Sequence, residues 1–246
     1  SLMMEKRTIR KSKIIITHSL WSKQVLKTKY KIDSERIIVF PNPSSLPVDI
    51  IPEVLHINEI KNIQDNPLRL LFIGPDPYRK GLGIAKQTTK ILNNKGINSI
   101  LTVCGTQAEN EEKIKYVGYL KRTVEHQFSQ YLALLQNSHF LIHPALFDPA
   151  PRVTSEAAAF GTPTITNNTG GLGTTVKDGV SGIILPKGSP PETYAQVIKE
   201  LVEDPERYYA LCKTTRERYE QELNWDVAGK KLSNILQKVV EENGKQ

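Results

Sequence analysis

Cysteine is scarce in this sequence of 246 residues: Cys104 closes an apolar run and Cys212 lies inside a helical pattern. Two thiols so far apart exclude a disulfide framework and the paired spacing of a zinc site, and they suit a reducing, cytoplasmic setting. Long hydrophobic runs are missing as well. No stretch of about 18 apolar residues exists to cross a bilayer. The opening "SLMMEKRTIRKSK" turns basic at once and has no apolar segment of a secretory signal. Ser1 and Leu2 read as vector-derived and carry no weight in the fold. Repeats and low-complexity tracts are also absent, which excludes solenoid and fibrous architectures. The 39% of apolar residues that are present can build a core for one large domain or two small ones.

Positive charge is abundant but uneven. Residues 1–50 hold ten Lys/Arg against four Asp/Glu, and the rest of the chain is almost balanced within a net charge of +7. Such an end suits an anionic partner, whether nucleic acid, phosphorylated ligand or acidic lipid, and equally suits a plain solvated face. No nucleic-acid motif accompanies it, so nucleic acid is the least expected of these.

Strand "KIIITHS", an amphipathic helix "SLWSKQVLKTKY" capped by Ser19 and strand "RIIVFPN" form one β-α-β unit over 14–42. Three prolines in "PNPSSLP" stop it, and the poorly patterned stretch up to residue 66 reads as a linker. A second series begins at "LRLLFIG" (68–74), a continuous apolar run of the kind buried on both faces of a parallel sheet. Helix 81–94, strand "SILTVCG", short strand "YVGYL" (116–120), helix 125–138, strand "HFLIHPA", helix "VTSEAAAFG" and strands "TPTITNN" and "SGIILP" follow. This alternation predicts an α/β fold with a doubly wound parallel sheet and ligands at the carboxyl ends of its strands. Helices over 190–204, 205–222 and 225–242 close the chain. The isolated first β-α-β is too small to bury both faces of a sheet, so it reads as a partial second α/β unit whose remainder would lie upstream.

Three stretches offer chemistry. "IGPDPYRKGLG" (73–83) joins a strand to a helix; Gly74 and its neighbours would turn backbone N–H groups toward an anion, with Arg79 and Lys80 adding charge. It is neither a dinucleotide fingerprint nor a P-loop, and a plain surface turn fits it as well. "LFDPAPRVTSEAAAFG" places Asp148 in the turn after a strand and Glu156 in the first turn of the next helix. Paired carboxylates there either move protons or accept hydrogen bonds from sugar hydroxyls, and a helix N-terminus favours the charged acceptor. An acid that merely complements the helix dipole would look the same. Gly170 and Gly171, with Gly173, follow a strand and allow either close approach to a ligand or a tight turn. His18, His139 and His143 read as core, turn or rim residues.

Taken together, "FIG…RKG", "VGYL", "HPALFDPAPRVTSEAAAFGTPTITNNTGGLGTTVKDGVSGIILP" and the late "LNWD" helix resemble the donor-binding half of retaining GT-B glycosyltransferases of family 4, the group 1 transferases, with their Rossmann-like fold. "SKIIITHSLWSKQVLKTKYKIDSERIIVFPN" is similar to the last β-α-β of their acceptor domain. The resemblance implies a remnant of the acceptor domain over 1–46, a linker over 47–66, a nucleotide-sugar domain over 67–223, and a C-terminal helix over 224–246 that packs back toward the first unit. It implies transfer of a sugar from a UDP- or GDP-linked donor without a metal or other cofactor, in a chain that binds the donor but is inactive alone. The family's pair of acids separated by seven residues matches Asp148 and Glu156: Glu156 would hold the ribose and Asp148 the transferred sugar, as a clamp and not as a proton-transfer pair. Pro151, Arg152 and Val153 would approach sugar and phosphates, Arg79 and Lys80 would neutralise the diphosphate, and Val117, Gly118, Tyr119 and Leu120 would form part of the base pocket. A saccharide or lipid-linked acceptor would enter through the rest of the acceptor domain, with peripheral membrane contact. Pro75 stands where many members carry arginine, and Asp148 is one methylene shorter than the usual glutamate, a gap that the Pro149/Pro151 turn or a water would close. A GT-B epimerase or phosphorylase, and a non-catalytic module that uses the basic face, are the alternatives.

Overall fold

The computed structural model describes residues 2–53 and 57–243. The N-terminal unit comprises α1 (Leu2–Lys11), β1 (Ile15–Thr17), α2 (Leu20–Lys29) and β2 (Ile37–Val39), with β1 and β2 paired in parallel. Ser19 caps α2 as expected, its hydroxyl accepting from the Ser22 N–H at 3.1 Å. The helix α1 was not expected from the basic opening.

A short helix α3 (Ile57–Ile60) precedes the main sheet, which is built from β3 (Leu68–Ile73), β4 (Ser99–Cys104), β5 (Ile114–Gly118), β6 (Phe140–His143), β7 (Thr164–Asn167) and β8 (Gly182–Leu185). All neighbours are parallel, in the order β5-β4-β3-β6-β7-β8. The connecting helices are α4 (Leu82–Asn94), α5 (Glu125–Asn137), α6 (Val153–Ala158) and α7 (Leu172–Thr175), and α8 (Pro191–Glu203), α9 (Pro205–Glu222) and α10 (Trp225–Asn243) follow. The chain winds outward from β3 through β4 and β5, then outward the other way from β6 through β7 and β8. The sheet is doubly wound, as the sequence predicts, and its switch point lies between β3 and β6, where a crevice must open.

The apolar run of β3 explains why the sheet sits in the middle. Leu68, Leu70 and Phe72 face one cluster with Leu82, Ala85, Leu92, Tyr194 and Ile198 of α4 and α8. Leu71 faces the other, with Leu135, Leu141, Ala157 and Tyr219. Each buried leucine, isoleucine or phenylalanine among them, taken from water, contributes about 1.5 to 3 kcal/mol. Strand β5 is displaced from the expected 116–120: it starts at Ile114 and stops at Gly118, whose φ of 68° breaks the extended backbone.

The stretch expected as a linker is packed against the sheet. Among its described residues Ile51, Lys61 and Ile63 are buried. Lys61 caps the end of α5, its ammonium donating to the carbonyls of Gln136 (2.6 Å) and Ser138 (2.7 Å) and to Thr162 Oγ1 (2.7 Å). A lone lysine among scattered apolar residues has no periodicity, which is why the sequence conceals this role. Helix α10 is capped by Asn224, whose Oδ1 accepts from the Val227 N–H at 2.9 Å, and it packs on α9. Its start adjoins the first unit, since the Ser44 N–H donates to Leu223 O at 2.8 Å.

Candidate functional site

A crevice of about 340 Å³ opens at the carboxyl ends of β3 and β6. Gly74, Lys80, Tyr119, Asp148, Pro151, Arg152, Val153 and Glu156 line it, joined by Ser45, Arg122 and Tyr131. The two acids singled out in the sequence therefore share one cavity. Another groove, of about 370 Å³, lies between α4 and the 111–114 turn, but its Lys86 and Glu111 pair with each other.

In the 74–81 loop four N–H groups are already bonded within the protein: Gly74 to Cys104 O, Arg79 to Asp76 Oδ1, Lys80 to Asp76 O and Gly81 to Tyr78 O. Those of Asp76 and Tyr78 have no such bond among the described residues. Arg79 Nε bonds Asp76 (2.9 Å) and its Nη1 donates to Phe147 O (3.0 Å). Lys80 forms an ion pair with Asp148 Oδ2. Gly81 has φ 81°, and a Cβ there would lie 2.1 Å from Pro144 O, so the loop and the β6 exit touch through backbone alone.

Asp148 is 4% exposed and also accepts from His143 Nε2 at 2.9 Å. Burial works against its charged form, but the hydrogen bonds and charges of His143 and Lys80 outweigh it and bring the carboxyl down to about 2. His143 is fully buried; burial first, against the Asp148 bond, lowers its pKa, so it is neutral at pH 7 with its proton on Nε2. Among the described residues its Nδ1 has no partner, unlike the satisfied core histidine that the sequence suggested. His139 does fit that description: Nδ1 accepts from the Arg69 N–H and Nε2 donates to Asn62 O, with burial holding it down to about 4. His18 Nδ1 donates to Phe40 O at 3.0 Å, a strand-end contact.

Glu156 sits in α6 and is 2% exposed. Arg122 Nη2 donates to both carboxylate oxygens at 2.9 Å, and the hydroxyls of Ser45 and Tyr131 donate one to each. The Arg122 guanidinium also lies 4.7 Å from the Tyr131 ring centre. Burial, then the Glu156 charge, pushes the Tyr131 hydroxyl well above its ordinary range, so it stays a donor. Arg122, Tyr131 and Ser45 carried no signal in the sequence, lying 34, 25 and 111 residues from Glu156.

The other expected positions divide. Tyr119 is 70% exposed at the crevice wall, whereas Val117, Gly118 and Leu120 lie outside the lining. Gly170 and Gly171 lie outside it too: Cβ atoms there would come within 2.3 Å of Asp148 O and 2.1 Å of Pro149 O. They let the 170–171 turn back onto the Asp148 loop, and the Gly171 N–H donates to Asp148 O at 2.7 Å. Their service to the site is support. Among the described residues no group of three His, Cys, Asp or Glu side chains is placed to hold a metal.

The family model of glycosyl transferases group 1 matches residues 55–218. The chain is 26% identical over 183 residues to glycogen synthase of Mycobacterium tuberculosis, covering 69% of this chain and 42% of that protein. To the putative glycosyltransferase YtcC of Bacillus subtilis it is 34% identical over 99 residues, 40% of this chain and 24% of that one. It thus spans less than half of either relative. Among solved structures, sucrose-phosphate synthase from Thermosynechococcus elongatus superposes with TM-score 0.74 at 20% identity, over 98% of this chain and 62% of that one. HepE of Anabaena, solved in complex with UDP-glucose, gives TM-score 0.70 at 15% identity, over 97% and 70%. At these identities the likeness establishes the shared GT-B fold.

Proposed function

Because this chain belongs to the group 1 glycosyltransferases, we propose that its crevice binds a nucleoside diphosphate sugar, UDP- or GDP-linked, and serves transfer of that sugar with retention. The observation that carries this reading is the meeting of two buried carboxylates, Asp148 and Glu156, with the Lys80 ammonium in one crevice at the switch point of a doubly wound sheet, with Arg79 on the adjoining loop. In this reading Glu156 accepts from the ribose hydroxyls and Asp148 from the sugar. The bond from the sugar's anomeric carbon to the phosphate oxygen breaks as a bond to an acceptor hydroxyl oxygen forms on the same face, the departing diphosphate takes up the acceptor's proton, and Arg79 and Lys80 offset the negative charge that develops on it in place of a metal. Lys80 keeps further N–H donors beside its pairing with Asp148, so the sugar and diphosphate contacts adjoin through that pair. The HepE complex with UDP-glucose supports the donor class. The acceptor, a saccharide or lipid-linked sugar, would be met with residues beyond this chain's main sheet.

Titration calorimetry with UDP and GDP tests the reading. Saturable binding of one of them is expected, and Glu156→Ala should weaken it by about 1 to 3 kcal/mol, the worth of a hydrogen-bonding partner that is charged. Absence of saturable binding by both would sink the proposal. An epimerase would differ by isomerising the donor without any acceptor.

A further inference from the structure

A carboxylate offers about four acceptor positions, and Glu156 has all of them taken. Oε1 accepts from Ser45 Oγ and Arg122 Nη2, and Oε2 accepts from Arg122 Nη2 and the Tyr131 hydroxyl. No capacity is left for a ribose. One of the three partners must leave first, and they differ in how easily they can. Tyr131 is 4% exposed and anchored in the apolar cluster beneath α5 and α6. Ser45 follows Ser44, whose backbone is tied to Leu223. Arg122 stands on the loop between β5 and α5 with its side chain 38% exposed, and it already borders open crevice. A guanidinium that moves outward regains water, whereas a buried tyrosine hydroxyl would be stranded.

We propose that Arg122 is a latch on the donor site: it occupies the acceptor positions of Glu156, and the ribose hydroxyls of a nucleoside diphosphate bind by displacing it. The latch rests on the reading of Glu156 as the ribose acceptor. It makes Arg122 a specificity determinant, because only a ligand that brings two hydroxyl donors can replace a guanidinium nitrogen that bridges both oxygens without leaving the buried carboxylate unsatisfied. It also lowers apparent affinity, since the competent state is populated only when the arginine has swung away.

The test compares UDP and GDP with their 2′,3′-dideoxy analogues by calorimetry, on the wild type, Arg122→Lys and Arg122→Ala. Lysine keeps the positive charge near the diphosphate but is shorter and loses both the Nη1 bond to Ser45 Oγ and the planar packing on the Tyr131 ring that hold the arginine over Glu156. The expected result for Arg122→Lys is about threefold to tenfold tighter binding of the bound ribonucleotide, with the dideoxy analogue changed by less than about twofold. Arg122→Ala loses charge and binds both more weakly, yet its preference for ribose over dideoxyribose should rise. An unchanged or smaller preference in a folded variant overturns the latch and leaves the donor reading standing. Failure of every chain, wild type included, to bind either diphosphate overturns both.

Discussion

Replacing Lys61 by methionine isolates the cost of a buried ammonium that no carboxylate neutralises. Lys61 is 1% exposed and donates to two carbonyls and a hydroxyl. Burial, opposed by Cys212 and reinforced by Arg69, pulls its pKa from 10.5 down to about 7. Between those values the unfolded chain binds a proton that the folded chain does not, so stability rises with pH there. The penalty is fully present below pH 7 and vanishes only above 10.5. Each pH unit is worth at most about 1.4 kcal/mol, and near pH 7 half of that because the folded group is itself titrating. From pH 7 to pH 9 the wild type should therefore gain about 2 kcal/mol relative to Lys61→Met. Methionine removes three hydrogen bonds as well as the charge, so the difference at any single pH has mixed causes, whereas its slope reports the lysine alone. Urea unfolding of both proteins at pH 7, 8 and 9, followed by circular dichroism, measures it. Parallel dependence of the two on pH would refute the argument and show that the carbonyl cage solvates the ammonium fully.

Asp148→Asn should cost about 1 to 2 kcal/mol at neutral pH, because the carboxyl's depressed pKa contributes stability above pH 3.8 that is lost as pH falls through about 2; the gap between wild type and variant in thermal unfolding should close over that window. Gly171→Ala puts a Cβ 2.1 Å from Pro149 O, so the Asp148 loop must shift. More than about 1 kcal/mol of stability should be lost, together with nucleoside diphosphate affinity, and wild-type affinity in this variant would show the glycine to be dispensable to the site. Leu71→Ala, in the middle strand and fully buried, should cost about 2 to 5 kcal/mol by chemical denaturation. If the basic N-terminal unit contacts membranes, the protein will cosediment with vesicles containing anionic lipid, lose this binding with added salt, and ignore neutral vesicles; equal indifference to both would make that surface a solvated one.

Periodicity explains what could be read in advance. The β3 run 70–73 is apolar on both faces because helices cover both faces of its sheet, so composition alone betrays its place. Asp148 and Glu156 lie eight residues apart across one strand-to-helix turn, a spacing that local geometry brings to one crevice. The 74–81 loop was only partly legible, for the complementary reason. Glycine content and two cations are visible in the sequence, but whether the N–H groups face a ligand depends on where Asp76 and Tyr78 send their acceptors.

The amino-acid order by itself determined the alternation of strands and helices, the parallel sheet and the neighbourhood of the two acids, because these follow from interactions within a few residues of chain. Tertiary structure alone decided the partners. Arg122, Tyr131 and Ser45 reach Glu156, and Lys80 and His143 reach Asp148. The chain order of most of these residues says nothing about their distance in space, and His143, only five residues from Asp148, is turned onto it by the fold of the loop. A buried carboxylate takes whatever donors the packing of distant elements delivers, and that packing exists only once the sheet has closed around it.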